Sequence, residues 1–161
     1  MIIVIMGVSG SGKSTIGRSL AAELGWPFFE GDDFHSAANV EKMASGIALT
    51  DADRADWLAA LAQLIRNLSG DGRSGVLACS ALKQSYRETL GQNTSNVQFI
   101  YLKGDYDLIL KRLQARKGHY MRPELLKSQF DALEEPGQAL VVDVAQPVVI
   151  IVRQIRQAFD L

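Results

Sequence analysis

The sequence has 161 residues, 17 basic and 18 acidic side chains and a net charge of −1. Hydrophobic residues make up 47% and charged residues 22%, which fits one soluble globular domain and excludes collagen-like, disordered or strongly basic nucleic-acid-binding chains. With Cys79 as its one cysteine, the chain cannot form an internal disulfide, and a four-ligand zinc site is disfavoured.

Ile2 to Met6 is a short apolar, β-branched run that predicts a buried parallel strand. It lacks the basic flank of a signal peptide, and no apolar run approaches about 18 residues, so no membrane span is predicted and the expected location is cytoplasmic. Ile16, Leu20 and Leu24 recur at helical spacing over 13–24, with Gly25 placed to close the helix. Pro27 to Glu30 predicts a second strand and 36–45 a short helix. Thr50 is a candidate N-cap for a helix that turns Trp57, Leu58, Leu61, Leu64, Ile65 and Leu68 inward and ends in Ser69-Gly-Asp-Gly72. There follow a third strand over Val76 to Cys79, a helix over 82–90, a fourth strand over Val97 to Leu102 and a helix from Asp105 to a stop at Gly118. The pattern breaks at 119–123. It resumes with a helix near 123–134, a fifth strand over Leu140 to Asp143 and a last helix opened by Pro147, whose missing N–H costs nothing in a first turn. Strands alternating with helices predict one five-stranded parallel sheet covered on both faces, a three-layer α/β domain over 1–161. Ligands in such domains bind at the carboxyl ends of the strands.

Gly7-Val8-Ser9-Gly10-Ser11-Gly12-Lys13-Ser14 matches G-x-x-x-x-G-K-[ST] at every fixed position, between a predicted strand and a predicted helix. Glycines let the loop turn its N–H groups inward as a nest for phosphate oxygens, and the helix N-terminus adds partial positive charge. Lys13 supplies a point charge for the β- and γ-phosphates, and the Ser14 hydroxyl can ligate Mg²⁺. The motif predicts a nucleoside triphosphate site without saying what the phosphate is used for. A GTPase would carry D-x-x-G and N-K-x-D motifs, and neither occurs. A motor ATPase would end a hydrophobic strand in a carboxylate, whereas strand three ends in Ala78-Cys79-Ser80.

A small kinase with a closing lid remains. Asp32 and Asp33 lie just past strand two, where a carboxylate can take a proton from an attacking hydroxyl or help hold Mg²⁺. Arg112 and Arg116 are four apart and share a helix face, so their forks can clamp phosphate oxygens. A solvated basic helix end is the alternative for that pair, and a polar capping loop for the two aspartates. Trp57 reads as core, and Cys79 as a packed strand residue.

These features together resemble the small P-loop gluconokinases, relatives of shikimate and adenylate kinases, over nearly the whole chain. The resemblance rests on Gly7 through Thr15, Gly31-Asp-Asp-Phe-His35, Asn39-Val-Glu-Lys42-Met-Ala-Ser-Gly46 and Leu49-Thr-Asp-Ala-Asp53-Arg54. It continues in Ala78-Cys-Ser-Ala-Leu-Lys83, Tyr86-Arg87, Tyr101-Leu-Lys-Gly104, Arg116-Lys-Gly-His119-Tyr-Met121 and Ser128-Gln-Phe130. It implies a P-loop fold of the nucleoside monophosphate kinase type, with a substrate-side segment near 32–58 and a lid near 116–126. The implied enzyme is cytoplasmic, Mg²⁺-dependent and dimeric, and moves the γ-phosphoryl of ATP to the 6-hydroxyl of D-gluconate. Lys13, Asp32 and Arg116 would be catalytic. Gly7 to Thr15, Arg112, Arg116, Gln146 and Pro147 would bind nucleotide.

A polyhydroxylated monoanion needs cations for its carboxylate and hydrogen bonds for its hydroxyls. Lys42, Arg54, Lys83 and Arg87 are available cations. Asp32, His35, Asn39, Asp53, Ser80 and His119 complete the candidate sugar-acid contacts. His35 has a helix-capping alternative, and Asp53 with Arg54 a mutual pairing at a helix start. The chain departs from the family pattern in three prolines, having Ser36, Ala48 and Asp56 instead. Their absence predicts a looser substrate-side loop. Kinases for another small acid, and a non-catalytic ATP sensor, are the competing readings. A sensor would show loss of Lys13, Ser14 or Asp32, and none is lost.

Overall fold

The structure is a computed structural model that describes residues 1–94, 96–115 and 123–161; Arg116, His119 and most of the expected lid lie outside the described residues. Five strands, β1 (Ile2–Met6), β2 (Phe28–Glu30), β3 (Gly75–Ala78), β4 (Val97–Lys103) and β5 (Leu140–Asp143), form one sheet in the order β2-β3-β1-β4-β5. Every pairing is parallel. Seven described helices connect and cover the strands: α1 (Lys13–Leu24), α2 (Ala37–Ala44), α3 (Asp51–Gly70), α4 (Gln84–Gly91), α5 (Tyr106–Ala115), α6 (Pro123–Ala132) and α7 (Val148–Ala158). A 3-10 turn, Gly31–Phe34, follows β2.

The two-residue alternation of β1 divides the interior into two layers. Ile3 and Ile5 face α1, α5, α6 and α7, packing with Ile16, Leu20, Ile109, Leu126, Ile151 and Ile155. Ile2, Val4 and Met6 face α3 and α4, packing with Trp57, Leu61, Ile65, Tyr86 and Leu90. Leu64, expected inward, is only partly buried, while Ala62 takes a buried place on α3. Because the strands are parallel, all five carboxyl ends emerge on one side of the sheet, with the β1 end central. No described helix is long and apolar enough to cross a membrane.

Element ends differ from expectation where a side chain or a proline sets them. β3 stops at Ala78, although the Cys79 N–H still donates to the Ile5 carbonyl at 3.0 Å. α4 begins at Gln84 because Lys83 is extended, and the Gln84 N–H donates to the Glu134 carboxylate at 2.6 Å. Pro147 is the N-cap of α7, one residue before the helix rather than inside it, with ψ at 145°. α3 starts as expected at Thr50, whose hydroxyl and Asp53 form a reciprocal capping box.

Candidate active site

The phosphate loop occupies residues 7–12, between β1 and α1. Gly10 holds φ at +81°, and a Cβ there would lie 2.6 Å from Leu113 Cγ, so neither the backbone angle nor the space admits a side chain. Gly12 caps α1 without a side chain, so no side-chain oxygen takes the N–H groups that an anion would use. Lys13 Nζ arches back to donate to the Val8 carbonyl at 3.0 Å. The Ser11 hydroxyl is buried inside the loop, with no partner among the described residues. A glycine cradle, an orphaned hydroxyl, a lysine and an uncapped helix start are the donor set of a polyphosphate site. Ser14, the next motif residue, would be the oxygen ligand for Mg²⁺. Among the described residues no three His, Cys, Asp or Glu groups cluster as a metal cage, so the ion would depend on phosphate oxygens beside Ser14.

The turn after β2 is brought to this loop through β3. A Cβ on Gly31 would lie 2.5 Å from the Ala78 carbonyl oxygen, so only glycine permits that approach. The Gly7 N–H donates to the Ser80 carbonyl at 3.2 Å, tying the loop to the same strand end. Trp57, 2% exposed, donates its indole N–H to the Gly31 carbonyl at 2.7 Å. Its ring stacks on His35, with centroids 4.5 Å apart. Asp32 and Asp33 are exposed on that turn. Lys13, Asp32 and Glu30 all act electrostatically on the Cys79 thiol, which burial pushes up to about 12. Cys79 is therefore a packed, protonated residue rather than a nucleophile. Burial also lowers the His35 pKa, and its Nδ1 is enclosed without a hydrogen-bond partner among the described residues. His35 does not cap α2; the Ser36 hydroxyl does, accepting from the Asn39 N–H at 3.2 Å.

The candidate sugar-acid residues come together at the starts of α2, α3 and α4, and many are bonded to one another. Asn39, 6% exposed, donates its side-chain amide to the Asp53 carbonyl at 2.6 Å. Lys42 pairs with Asp53 at 2.6 Å. The hydrogen bond from Lys42, reinforced by Thr50, holds the Asp53 carboxyl down at about 2. Asp53 thus pairs with Lys42 rather than Arg54, whose guanidinium donates to the Leu49 carbonyl and lies 5.8 Å from the Tyr86 ring centre. Lys83 donates to both Asp51 oxygens, at 2.8 and 2.9 Å, and the Tyr86 hydroxyl donates to the same carboxylate. Hydrogen bonds from Lys83, and then from Tyr86, hold the Asp51 pKa below the usual carboxylate value. Arg87 donates to the carbonyls of Ala81 and Leu82, at 2.9 and 3.0 Å. Ala81 has φ at +42°, a strained angle for a residue with a side chain, and Arg87 fastens it. Ser80 reaches the loop through its carbonyl.

On the nucleotide side, Arg112 donates to the Val144 carbonyl at 2.7 Å. This pins α5 to the loop that carries Gln146 and Pro147. Gln146 in turn accepts from Gln154 at 3.0 Å. Arg112 therefore joins the β5–α7 loop, while the placement of Arg116 falls outside the described residues.

Three contributors have no individual role in the sequence analysis, although Asp51 and Gln129 lie within segments that carry the family resemblance. Asp51 anchors Lys83 and Tyr86, and Glu134 caps α4. Gln129 of α6 faces the phosphate loop, and its signal was present, since it interrupts the apolar stripe of Leu126, Phe130 and Leu133 at helical spacing.

The chain matches the shikimate kinase family profile over residues 9–145. It is 47% identical over 150 residues to the thermoresistant gluconokinase of Escherichia coli K12, covering 91% of this chain and 86% of that one. Among solved structures, an unliganded sugar kinase from Janibacter superposes with a TM-score of 0.92 at 41% identity, covering 99% of this chain and 94% of that one. A gluconokinase from Sinorhizobium meliloti superposes with a TM-score of 0.85 at 44% identity, covering 94% and 87%. A shikimate kinase from Aquifex aeolicus is 18% identical at a TM-score of 0.63, a likeness of fold. The phosphate loop, the aspartate turn and these identities over most of the chain agree, and the chain belongs to the gluconokinase family of P-loop kinases.

Proposed function

We propose that the protein transfers the γ-phosphoryl group of ATP to the 6-hydroxyl of D-gluconate, giving 6-phosphogluconate and ADP. The observation that carries this reading is the joining of an intact phosphate loop and the Asp32 turn at one strand end, through Gly7 on Ser80 and Gly31 on Ala78. Gluconokinase relatives near half identity support gluconate over shikimate as the acceptor.

ATP with Mg²⁺ supplies the phosphoryl group and neutralises its charge when bound. The chain's own residues do the rest. Loop N–H groups and Lys13 hold the phosphates, and the Ser14 hydroxyl is the protein's ligand for the ion. The Asp32 carboxylate accepts the proton of the 6-hydroxyl, late in a loose transition state. Arg54 and Lys83 receive the sugar carboxylate. His35, Asn39, Asp53, Ser80 and His119 contact or frame the polyol, with Lys42 and Arg87 supporting them. Arg116 neutralises charge on the transferring group, while Arg112, Gln146 and Pro147 border the base. The reading includes a single kinase domain with a substrate-side segment near 32–58, a lid near 116–126, a homodimer and a cytoplasmic location, all as the family resemblance implies.

The test is ADP release from Mg-ATP with D-gluconate, compared with related sugar acids, shikimate and nucleoside monophosphates. Turnover with D-gluconate alone is expected. Turnover with another acid and none with D-gluconate overturns the acceptor, and nucleotide binding without any turnover overturns the reaction.

A further inference from the structure

We propose that Gln129 is a positioning residue for the phosphate loop, clamping Ser9 so that the loop is set in its anion-receiving shape before nucleotide arrives. The clamp has two points. The Ser9 N–H donates to Gln129 Oε1 at 2.7 Å, and Gln129 Nε2 donates to the Ser9 hydroxyl at 3.0 Å. Both ends of one side-chain amide are used, which fixes the amide's orientation and satisfies a loop N–H across 120 residues of chain.

The support behind the amide is rigid. Leu126, one turn before Gln129, is fully buried, and Phe130 packs edge-on against Tyr106 of α5 with ring centres 5.5 Å apart. The next loop residue, Gly10, lies directly against Leu113 and Ile109 of α5. Ser9 and Gly10 are thus gripped from two sides, by the polar end of one helix residue and the apolar face of another helix. A glycine-rich loop left to itself samples many backbone states, and ordering it would oppose nucleotide binding. The clamp removes that cost in advance. It also commits the Ser9 N–H to Gln129, so the phosphate oxygens fall to the N–H groups nearer α1.

The inference rests on the phosphate loop binding nucleotide but not on the identity of the acid. Its test is calorimetric binding of Mg-ADP and of a non-hydrolysable Mg-ATP analogue, with no sugar acid present. Gln129→Met keeps length and volume and removes both hydrogen bonds. Its expected nucleotide Kd is about tenfold weaker, from two hydrogen bonds of ordinary worth. The KM for ATP rises in step, while kcat at saturation and the KM for D-gluconate change less than about threefold. Ser9→Ala keeps the backbone half of the clamp and is expected to weaken binding by about threefold. The double variant is expected to bind no worse than Gln129→Met, because both changes remove one shared interaction. Gln129→Glu loses the donor and adds charge, so it does not rescue. A folded Gln129→Met with nucleotide Kd within about twofold of the parent, or tighter, overturns the proposal. So does a double variant whose losses simply add. Absence of nucleotide binding by the parent protein overturns the nucleotide site itself, and this inference with it.

Discussion

Replacing Trp57 by Phe isolates what holds the sugar-acid side of the site in place. The indole is 2% exposed, donates to the Gly31 carbonyl at 2.7 Å, and stacks on His35 at 4.5 Å with 12° between the planes. Phe preserves an aromatic face for His35 but has no N–H. The Gly31 carbonyl is left without that donor in a buried setting, a loss of about 1–3 kcal/mol. The smaller ring leaves a void worth roughly 1 kcal/mol more. The expected destabilisation is therefore about 2–4 kcal/mol, or a fall in Tm of roughly 5–12 °C for a chain of this size. Urea and thermal unfolding followed by far-ultraviolet circular dichroism measure it. Gly31 leads directly into Asp32, so the kinetic effect is local, and the KM for D-gluconate is expected to rise roughly three- to tenfold while that for ATP holds nearly constant. A destabilisation below about 0.5 kcal/mol refutes the hydrogen-bond argument, and equal rises in both KM values refute the local one.

Asp32→Asn is expected to lower kcat by about 10²–10³, the usual worth of a positioned general base, with stability unchanged; a kcat within a few-fold of the parent removes the proton-acceptor role. Gly10→Ala drives a methyl into Leu113 at a positive φ, and equilibrium dialysis of Mg-ADP is expected to show nucleotide binding lost by at least about a hundredfold. Asp53 is held at about 2, against 3.8 for the free group. Its folded pKa lies below the unfolded one, so its stabilisation is complete above about pH 4 and disappears as pH falls toward 2. The parent-minus-Asp53→Asn difference in urea midpoint is expected to shrink across that window, and a difference independent of pH contradicts the Lys42 pairing.

Much of the fold was legible because it follows from periodicity. The β1 run and the α1 and α3 spacings each obey one rule, and the parallel alternation leaves few topologies. The phosphate loop was legible for a related reason, since its chemistry is local and contiguous. The contacts that assemble the second half of the site are not. Asp51 meets Lys83 and Tyr86 across 32 and 35 residues, and Gln129 meets Ser9 across 120. No spacing rule reaches that far. The missing prolines show the same limit. Ser36 lacks proline's stiffness but supplies an N-cap to α2. Asp56 lies inside α3, where a proline would have no N–H for the helix ladder and would clash with the preceding turn. In place of the expected prolines, the structure has a side-chain cap at Ser36 and a helical residue at Asp56.

Four cations suggested a basic socket waiting for an anion. In the folded chain Lys42 is on Asp53, Lys83 on Asp51, Arg54 on the Leu49 carbonyl and Arg87 on two carbonyls. Under the proposed function, a sugar carboxylate would therefore enter by exchanging partners rather than by meeting bare charge. The cost of exchange differs among the four. Asp51 is well exposed, so water can take over its carboxylate when Lys83 turns away, and an exposed pair adds little to stability. Arg87 is partly buried, and burial already lowers its pKa. Releasing it would leave the strained Ala81 turn unfastened. Lys42 reaches from α2 to Asp53, a member of the capping box that starts α3, and removing it would loosen Asn39 and Asp53 together. On the proposed function, the exchange would thus fall to Lys83 and Arg54, which lie 5.7 and 5.8 Å from the Tyr86 ring centre. Arg87 and Lys42 keep the frame. This division separates the two pairs by experiment: Lys83→Met acts on the KM for D-gluconate, whereas Arg87→Met acts on stability first.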